Sequence, residues 1–264
     1  MMFAERFARD GCLVIDRLFD PTLIGRVHQE YARQYGEIDR LDPPLHMNVG
    51  DGRLHLPVIL RGPLLEPALY AHPILSALLG SILDTRFVID SVSIVTALPG
   101  APDQRYHRDH PSLYAHGFGF GATLPCYAVT VAIPLIDLDG ETGTTQLFPG
   151  SMGADGDTTG GDFGPGMLPL VGRGGCFLMD YRLWHRGFAN RSNRPRPILY
   201  IVYAREWFTD VVNYKKHARL MIGREEFETI PIEHRPLFRR ASGKGLIDAT
   251  IKELQAQPPE LNPT

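Results

Sequence analysis

The apolar positions of this chain follow two rhythms, and the change falls near Arg86. Before it the spacing is mostly helical. Phe3 and Phe7 stand four apart, which places both on one helix face, and Asp10-Gly11 breaks that helix. Cys12 to Ile15 is a short apolar run and reads as a strand. Asp20-Pro21 is a helix start, because the carboxylate accepts from free first-turn amides and proline fits the first turn. Leu23, Ile24, Val27 and Tyr31 then recur at helical spacing and predict an outer helix packed on a sheet. Residues 41–65, rich in Pro, Gly and His, show no period and read as an irregular segment of the kind that often rims a binding site. Residues 73–79 read as a short helix ended by Gly80.

Beyond Arg86 the chain reads as β. Residues 87–98 are rich in Val, Ile, Ser and Thr, and Pro99-Gly100-Ala101-Pro102 is a turn. A strand carrying Tyr106-His107-Arg108-Asp109-His110 is expected next, then a glycine-rich loop at 116–122. That loop fails the GxGxxG pattern and has no βαβ context, so it is not read as a phosphate cradle. Cys126 to Leu135 reads as a buried strand, Asp139-Gly140 as a turn, and residues 144–148 as a strand closed by Pro149-Gly150-Ser151. Residues 152–166, nearly all Gly, Asp, Thr and Pro, read as an exposed mobile loop that could serve as a lid. Further strands are expected at 167–171, 176–180 and 198–206. Short strands with turns between them predict an antiparallel barrel or jelly roll. The expectation is a single domain over 1–264, with a helical layer at about 1–85, a β core at about 86–208 and a C-terminal extension at about 209–264. The polar, proline-rich tail from Gln255 reads as frayed.

Composition narrows the class. A formal charge of -3 offers no basic surface for nucleic acid. The three cysteines are far apart and form no CxxC, which points to buried free thiols in a reducing compartment. The N-terminus has no signal-peptide pattern, and the longest nearly apolar stretch is too short to span a membrane. A cytoplasmic protein is the expectation, and oligomeric state is left open. Asn190-Arg191-Ser192 matches a glycosylation sequon and is read as chance.

The chemistry centres on His107 and Asp109. On a strand, residues two apart share a face, so both point at one spot and His110 points away. A second histidine would complete two imidazoles and one carboxylate, a set that leaves coordination positions open and suits non-haem Fe(II). His185 stands just after the strand at 176–180, where a lone histidine would usually be structural. Asp180 could orient it, as ligating histidines usually donate their other N–H to an oxygen, or could be a solvated turn residue. His46 and His55 read as loop or surface histidines, and Trp184 and Trp207 as packing.

At this point the sequence resembles the phytanoyl-CoA dioxygenase-like (PhyH) family of Fe(II)/2-oxoglutarate oxygenases. The motifs arrive in family order over most of the chain. They are the opening F…DG, Gln104 with His107-Arg108-Asp109, Glu141-Thr142-Gly143-Thr144-Thr145-Gln146 leading to Pro149-Gly150-Ser151, and Leu183-Trp184-His185-Arg186-Gly187 with Asn190 and a downstream arginine. The resemblance implies a mainly β, cupin-like double-stranded β-helix with flanking N-terminal helices, and His107, Asp109 and His185 as iron ligands. It implies Arg196 for the far carboxylate of 2-oxoglutarate, since a guanidinium fork binds a carboxylate by two parallel hydrogen bonds. Arg194 is the rival; strand parity cannot separate the two, and Pro195 and Pro197 fit a central strand poorly. Gln104 and Thr145 match positions that hydrogen-bond the co-substrate in relatives. The implied reaction uses Fe(II), 2-oxoglutarate and O2 to oxidise an unactivated C–H, most simply by hydroxylation, with desaturation, epimerisation or ring closure as alternatives. Asp109 disfavours halogenation, which needs a small residue there. The rim segments 41–65, 110–125 and 152–166, with Tyr114, Phe118, Phe120 and Phe163, suggest a small, largely apolar substrate and natural-product tailoring, ahead of lipid or amino-acid hydroxylation. A non-oxidative cupin-like metal enzyme and a catalytically dead binding protein are the rival classes.

Overall fold

The computed structural model describes residues 2–36, 47–113, 124–154, 156–213 and 219–241. His46, Tyr114, the glycine-rich loop with Phe118 and Phe120, and the tail lie outside the described residues.

The first part is helical with short strands. Helix α1 (Met2–Asp10) leads into strand β1 (Cys12–Ile15), followed by helix α2 (Pro21–Tyr35). Asp20 caps α2 by accepting from the Thr22 amide at 2.8 Å. Strands β2 (Met47–Asn48) and β3 (Arg53–Pro57) precede helices α3 (Pro67–Tyr70) and α4 (Pro73–Leu83). The β part then runs through β4 (Val88–Ala97), β5 (Ala128–Pro134), β6 (Thr145–Leu147), β7 (Gly156–Asp157), β8 (Gly160–Gly161), β9 (Cys176–Asp180), β10 (His185–Gly187) and β11 (Arg196–Ala204). Helix α5 (Arg224–Thr229) lies in the C-terminal segment.

Seven strands form one sheet in the order β1-β9-β5-β11-β4-β3-β2, with every neighbouring pair antiparallel. Side-chain parity divides its two faces. Leu199, Ile201 and Tyr203 of β11 join Leu56, Ile94, Val131 and Leu178 in the main core. That core is covered by Leu23, Ile24, Val27 and Tyr31 of α2 and by Leu75, Leu79 and Leu83 of α4. The Tyr31 and Thr96 hydroxyls meet at 2.6 Å, so this buried polar pair at the seam is satisfied within it. The other face of β11, from Arg196 through Ile198 and Tyr200 to Val202, floors a cavity. Over the cavity lies a smaller sheet, β6 with β10, extended by single bridges from Leu147 to Met167 and from His185 to His107. Two facing antiparallel sheets under a helical layer make the double-stranded β-helix.

Several local readings are corrected. Helix α4 runs through Gly80 to Leu83 and ends at Asp84, whose φ is 109°. A helical glycine costs only about 1 kcal/mol, and burying Leu83 in the core outweighs it. The irregular stretch 41–65 contains β3, which has only two buried leucines to reveal it, Leu54 and Leu56. The segment around His107 is not a strand and is tied by one bridge. Residues 167–171 likewise form no strand: Met167 makes a single bridge to Leu147, and Leu168 and Leu170 are exposed. The segment read as a loose loop at 152–166 contains the β7–β8 hairpin, pinned by buried Phe163, whose ring stacks on Trp184 at 4.6 Å. Trp184 is packing as read, whereas Trp207 is 66% exposed.

Candidate active site

His107, Asp109 and His185 converge on one side of the cavity. Each offers a ligand atom, and these atoms lie within 4.8 Å of one another. The backbones of His107 and His185 exchange two 2.9 Å hydrogen bonds, which brings a residue of the irregular segment onto the edge of β10. His107 Nδ1 faces the Arg105 carbonyl and His185 Nδ1 the Leu183 carbonyl, each at 2.9 Å. A carbonyl only accepts, so Nδ1 carries the proton and Nε2 is left with a lone pair for a metal. The proposed orienting carboxylate, Asp180, is elsewhere: it pairs with Arg182 at 2.7 Å. A backbone carbonyl two residues before each histidine does that work instead.

Asp109 completes the group. Its Oδ1 lies 3.4 Å from His185 Nε2, and Thr130 Oγ1 donates to its Oδ2 at 2.8 Å. Burial pushes this carboxyl up, but His185 and Thr130 outweigh it and hold the pKa below the usual value. Burial lowers His107 to about 4, with His185 adding to the shift, so its imidazole is neutral at pH 7. Burial also works against the charged form of His185, but Asp109 raises it overall. Two imidazole nitrogens and a carboxylate at this spacing fit an open-sided Fe(II) site. His110 is not in the group; it is buried against Phe208. His55 is on β3 and lines the cavity without joining the group.

The far end of the cavity is built from the long strands and carries guanidinium groups. Arg196 is 4% exposed and Arg53 is 1% exposed. Both pair with Ala97 of β4, one from each side, so they stand two strands apart on the same face. Arg196 Nη1 donates to the carbonyls of Thr142, Phe188 and Thr144 at 2.9, 3.0 and 3.3 Å, and its Nε is buried without a partner. Arg53 Nη2 donates to Phe188 O at 3.0 Å, while its Nε and Nη1 are buried without partners. Burial lowers both, Arg196 to about 10, which leaves Arg196 charged at pH 7; a guanidinium such as that of Arg53 keeps its proton in proteins. Orphaned buried N–H groups are rare, and two adjacent cations lining one cavity describe an anion site. Glycines make the room. A Cβ on Gly187 would lie 2.9 Å from Arg53 Nε, and one on Gly143 would lie 3.0 Å from Arg196 Nη1 and 2.2 Å from a backbone oxygen.

The rival arginine is outside this arrangement. Arg194 is half exposed and pairs with Asp139 at 3.1 Å. Asn190, four residues before Arg194, is fully buried; its amide donates to Ala97 O and Arg194 O and accepts from Ser192, which leaves no room for a glycan. Thr145 is buried in the cavity wall, its hydroxyl 3.2 Å from that of Tyr200. Gln104 lines the cavity, but its amide is engaged at both ends, donating to Val49 O at 2.6 Å and accepting from Gly187 N at 2.9 Å. A co-substrate bond from Gln104 competes with these two. Sequence reasoning missed Arg53 and Tyr200. Tyr200 shares the parity of Arg196 and was legible. Arg53 sits in a segment with no period, and only strand pairing brings it to Ala97.

The cavity holds about 660 Å³. Its mouth carries Arg105, Tyr106, Arg108 and Thr158 of the β7–β8 turn. Arg108 lies over the Trp184 ring at 4.8 Å, and Arg186 over Tyr106 at 4.7 Å. Among the described residues no helix is long and apolar enough to cross a membrane.

Comparison with known proteins agrees with this geometry. The phytanoyl-CoA dioxygenase (PhyH) family model matches residues 7–198. The Dioxygenase trt7 of Aspergillus terreus is 22% identical over 201 residues, covering 73% of this chain and 69% of that relative. Among solved structures, the epimerase SnoN in complex with Fe3+, alpha ketoglutarate and nogalamycin RO superposes with a TM-score of 0.56 at 17% identity, over 77% of this chain and 82% of that one. HygX from Streptomyces hygroscopicus with nickel and 2-oxoglutarate bound gives a TM-score of 0.55 at 17% identity, over 77% of this chain and 86% of that one. At such identities the structural likeness is one of fold, while the sequence match covers most of the chain. The chain belongs to the phytanoyl-CoA dioxygenase (PhyH) family and is an Fe(II)/2-oxoglutarate-dependent oxidoreductase that uses O2.

Proposed function

We propose that this enzyme hydroxylates an unactivated C–H bond of a small organic molecule in the tailoring of a natural product. One observation carries the reading: the His107, Asp109 and His185 group shares a single cavity with two buried guanidiniums whose N–H groups are unfilled. A dicarboxylate keto acid has one end to chelate a metal and another to meet a cation, and the cavity offers both.

His107, Asp109 and His185 hold the Fe(II). The metal supplies the activation of dioxygen, coupled to decarboxylation of 2-oxoglutarate to succinate and carbon dioxide. The residues of the chain do the rest. Leu183 O and Arg105 O keep the two Nδ1 protons in place and the Nε2 lone pairs aimed inward. Thr130 fixes one oxygen of Asp109 and leaves the other to the metal. Arg196 pairs with the far carboxylate of 2-oxoglutarate through the edge that is not bonded to backbone, and Thr145 and Tyr200 offer hydroxyls beside it. Arg53 supplies the second cation, and Gln104 ties the segment before the triad to β10. The stacked Phe163 and Trp184 hold the β7–β8 hairpin at the mouth, where it limits water entry.

A cavity of this size suits one small organic molecule. Val95, Met179, Ile198 and Val202 give it apolar walls. Tailoring chemistry is supported by the similar fold of the SnoN epimerase of nogalamycin biosynthesis. The test is an anaerobic titration with Fe(II) and then 2-oxoglutarate, watching for the weak visible charge-transfer band of the chelate. Candidate substrates are then screened by oxygen-dependent succinate release. A product that gains one oxygen atom supports hydroxylation. A product of unchanged composition, or one lacking two hydrogens, replaces it with epimerisation or with desaturation or ring closure. Iron binding with no band moves a non-oxidative metal enzyme to the front.

A further inference from the structure

The family match ends at residue 198, but the chain continues and turns back to the metal group. Asn213 is the point of contact. Its side-chain amide divides its two N–H groups between Asp109 O at 2.6 Å and Asp210 Oδ2 at 2.8 Å. Asp210 is fully buried and already receives the Val212 and Asn213 amides and the Tyr181 hydroxyl, at 3.0, 2.9 and 2.9 Å. Arg219 donates to the Asp210 carbonyl and to Asp90 Oδ2, the latter at 2.9 Å. Arg240 reaches the other oxygen of Asp90 at 3.0 Å, and Asp90 is fully buried in β4. A continuous set of hydrogen bonds, charge-assisted at Asp90 and Asp210, thus runs from the central sheet through Arg219 and Asn213 to the backbone of Asp109.

The segment it reaches needs holding. Residues 105–110 form no strand, and their one bridge to β10 is at His107. Asp109 lies two residues beyond that bridge. Its side chain is oriented by Thr130 and its backbone by Asn213. A swing of the Asp109 carbonyl would carry the carboxylate out of reach of His185. We propose that Asn213, clamped by Asp210, is a positioning residue that fixes Asp109 for metal binding. The C-terminal segment beyond the family match is therefore part of the site. This inference rests on Asp109 being a metal ligand.

The test is calorimetric titration of the metal-free protein with Fe(II) alone under anaerobic conditions, with the melting temperature recorded for each variant. Four variants are compared: Asp109→Ala, Asn213→Ala, Asn213→Asp and Leu220→Ala. Leu220 is buried in the main core of the same C-terminal segment and serves as a destabilised control. Asn213→Ala should weaken Fe(II) binding by about 10–100-fold, the usual effect of losing a group that orients a ligand. Asn213→Asp should weaken it at least as much, because a carboxylate of the same shape presents an acceptor to the Asp109 carbonyl and to Asp210. Leu220→Ala should lower the melting temperature and keep the affinity. Unchanged affinity in both Asn213 variants overturns the inference, as does a loss that Leu220→Ala shares in equal measure. If Asp109→Ala itself binds Fe(II) like the parent, the ligand assignment fails instead, and the two failures are told apart within one experiment.

Discussion

The two ends of the cavity are made of different backbone. The metal group stands on three-residue strands and on a segment tied by a single bridge. The guanidinium end stands on β3, β4 and β11, paired in continuous ladders of the seven-stranded sheet. The difference follows from what each end must do. A metal with open coordination positions needs a mouth, so its ligands sit where the ladder ends. A charged anchor for a buried anion needs rigidity and exclusion of water, so it sits in the middle of the sheet. The metal end should therefore be decisive for chemistry and minor for folding, and the guanidinium end, through Arg196, should matter to both.

The largest effect breaks or supports the first half of that statement. Alanine at His107, Asp109 or His185 should abolish oxygen-dependent succinate release, a loss well beyond the roughly 100-fold that follows from removing an outer-shell partner. Circular dichroism and the melting temperature of the metal-free protein should change little. Unfolding of all three variants would mean that these side chains belong to the core.

Next come the arginines. Arg196→Ala and Arg53→Ala should each raise the 2-oxoglutarate concentration for half-saturation by about 10–100-fold, as a hydrogen bond to a charged group is worth about 1.5–3 kcal/mol. Arg194→Ala should leave it unchanged, since that side chain is spent on Asp139 at the surface. If Arg194→Ala raises it while Arg196→Ala does not, the far carboxylate has been given to the wrong arginine.

A smaller effect comes from pH. Burial holds His107 down at about 4 in the folded, metal-free protein, while an unfolded histidine titrates near 6.5. Between those values the unfolded chain binds the extra proton. The stability this neutral imidazole contributes is thus complete above about pH 6.5 and is lost as the pH falls towards 4. Urea unfolding of metal-free protein across that window should show stability falling with acid, and His107→Gln should flatten the slope. An unchanged slope would show that His107 is not the buried neutral group.

The same contrast explains what was legible in the sequence. The metal ligands were readable because residue type and short spacing declare them, and His185 lies inside a compact motif. The three side chains come together within 4.8 Å although the strand expected around His107 does not form; one bridge suffices to bring it to His185. Arg196 was readable from its distance to His185, but parity could not choose it over Arg194. Burial is what separates them: Arg196 is buried in the cavity wall, whereas Arg194 is half exposed against Asp139. Arg53 was not readable because its position depends on the register of β3 against Ala97, a contact across 44 residues of chain (97 minus 53). Asp180 was misread for a different reason: its partner Arg182 is only two residues away, and that local pair takes the carboxylate that could have served His185.

The smallest effect tests whether Arg53 is there for a ligand or for the fold. Arg196 feeds three backbone carbonyls through one nitrogen, so Arg196→Met strips their donor. Stability should fall by about 1–3 kcal/mol, read as about 2–4 °C of melting temperature per kcal/mol in a chain of this size. Arg53 leaves two of its nitrogens without partners and stands beside another buried cation. Arg53→Met removes those orphaned donors and that repulsion and keeps a similar volume. The melting temperature of the co-substrate-free variant should therefore match or exceed that of the parent. Adding 2-oxoglutarate together with a redox-inert divalent metal should then reverse the order. The parent gains stability in proportion to the logarithm of ligand over Kd, and Arg53→Met gains much less. A co-substrate-free Arg53→Met that melts several degrees lower, with an undiminished gain on ligand addition, would make Arg53 a structural residue and leave Arg196 alone to hold the anion.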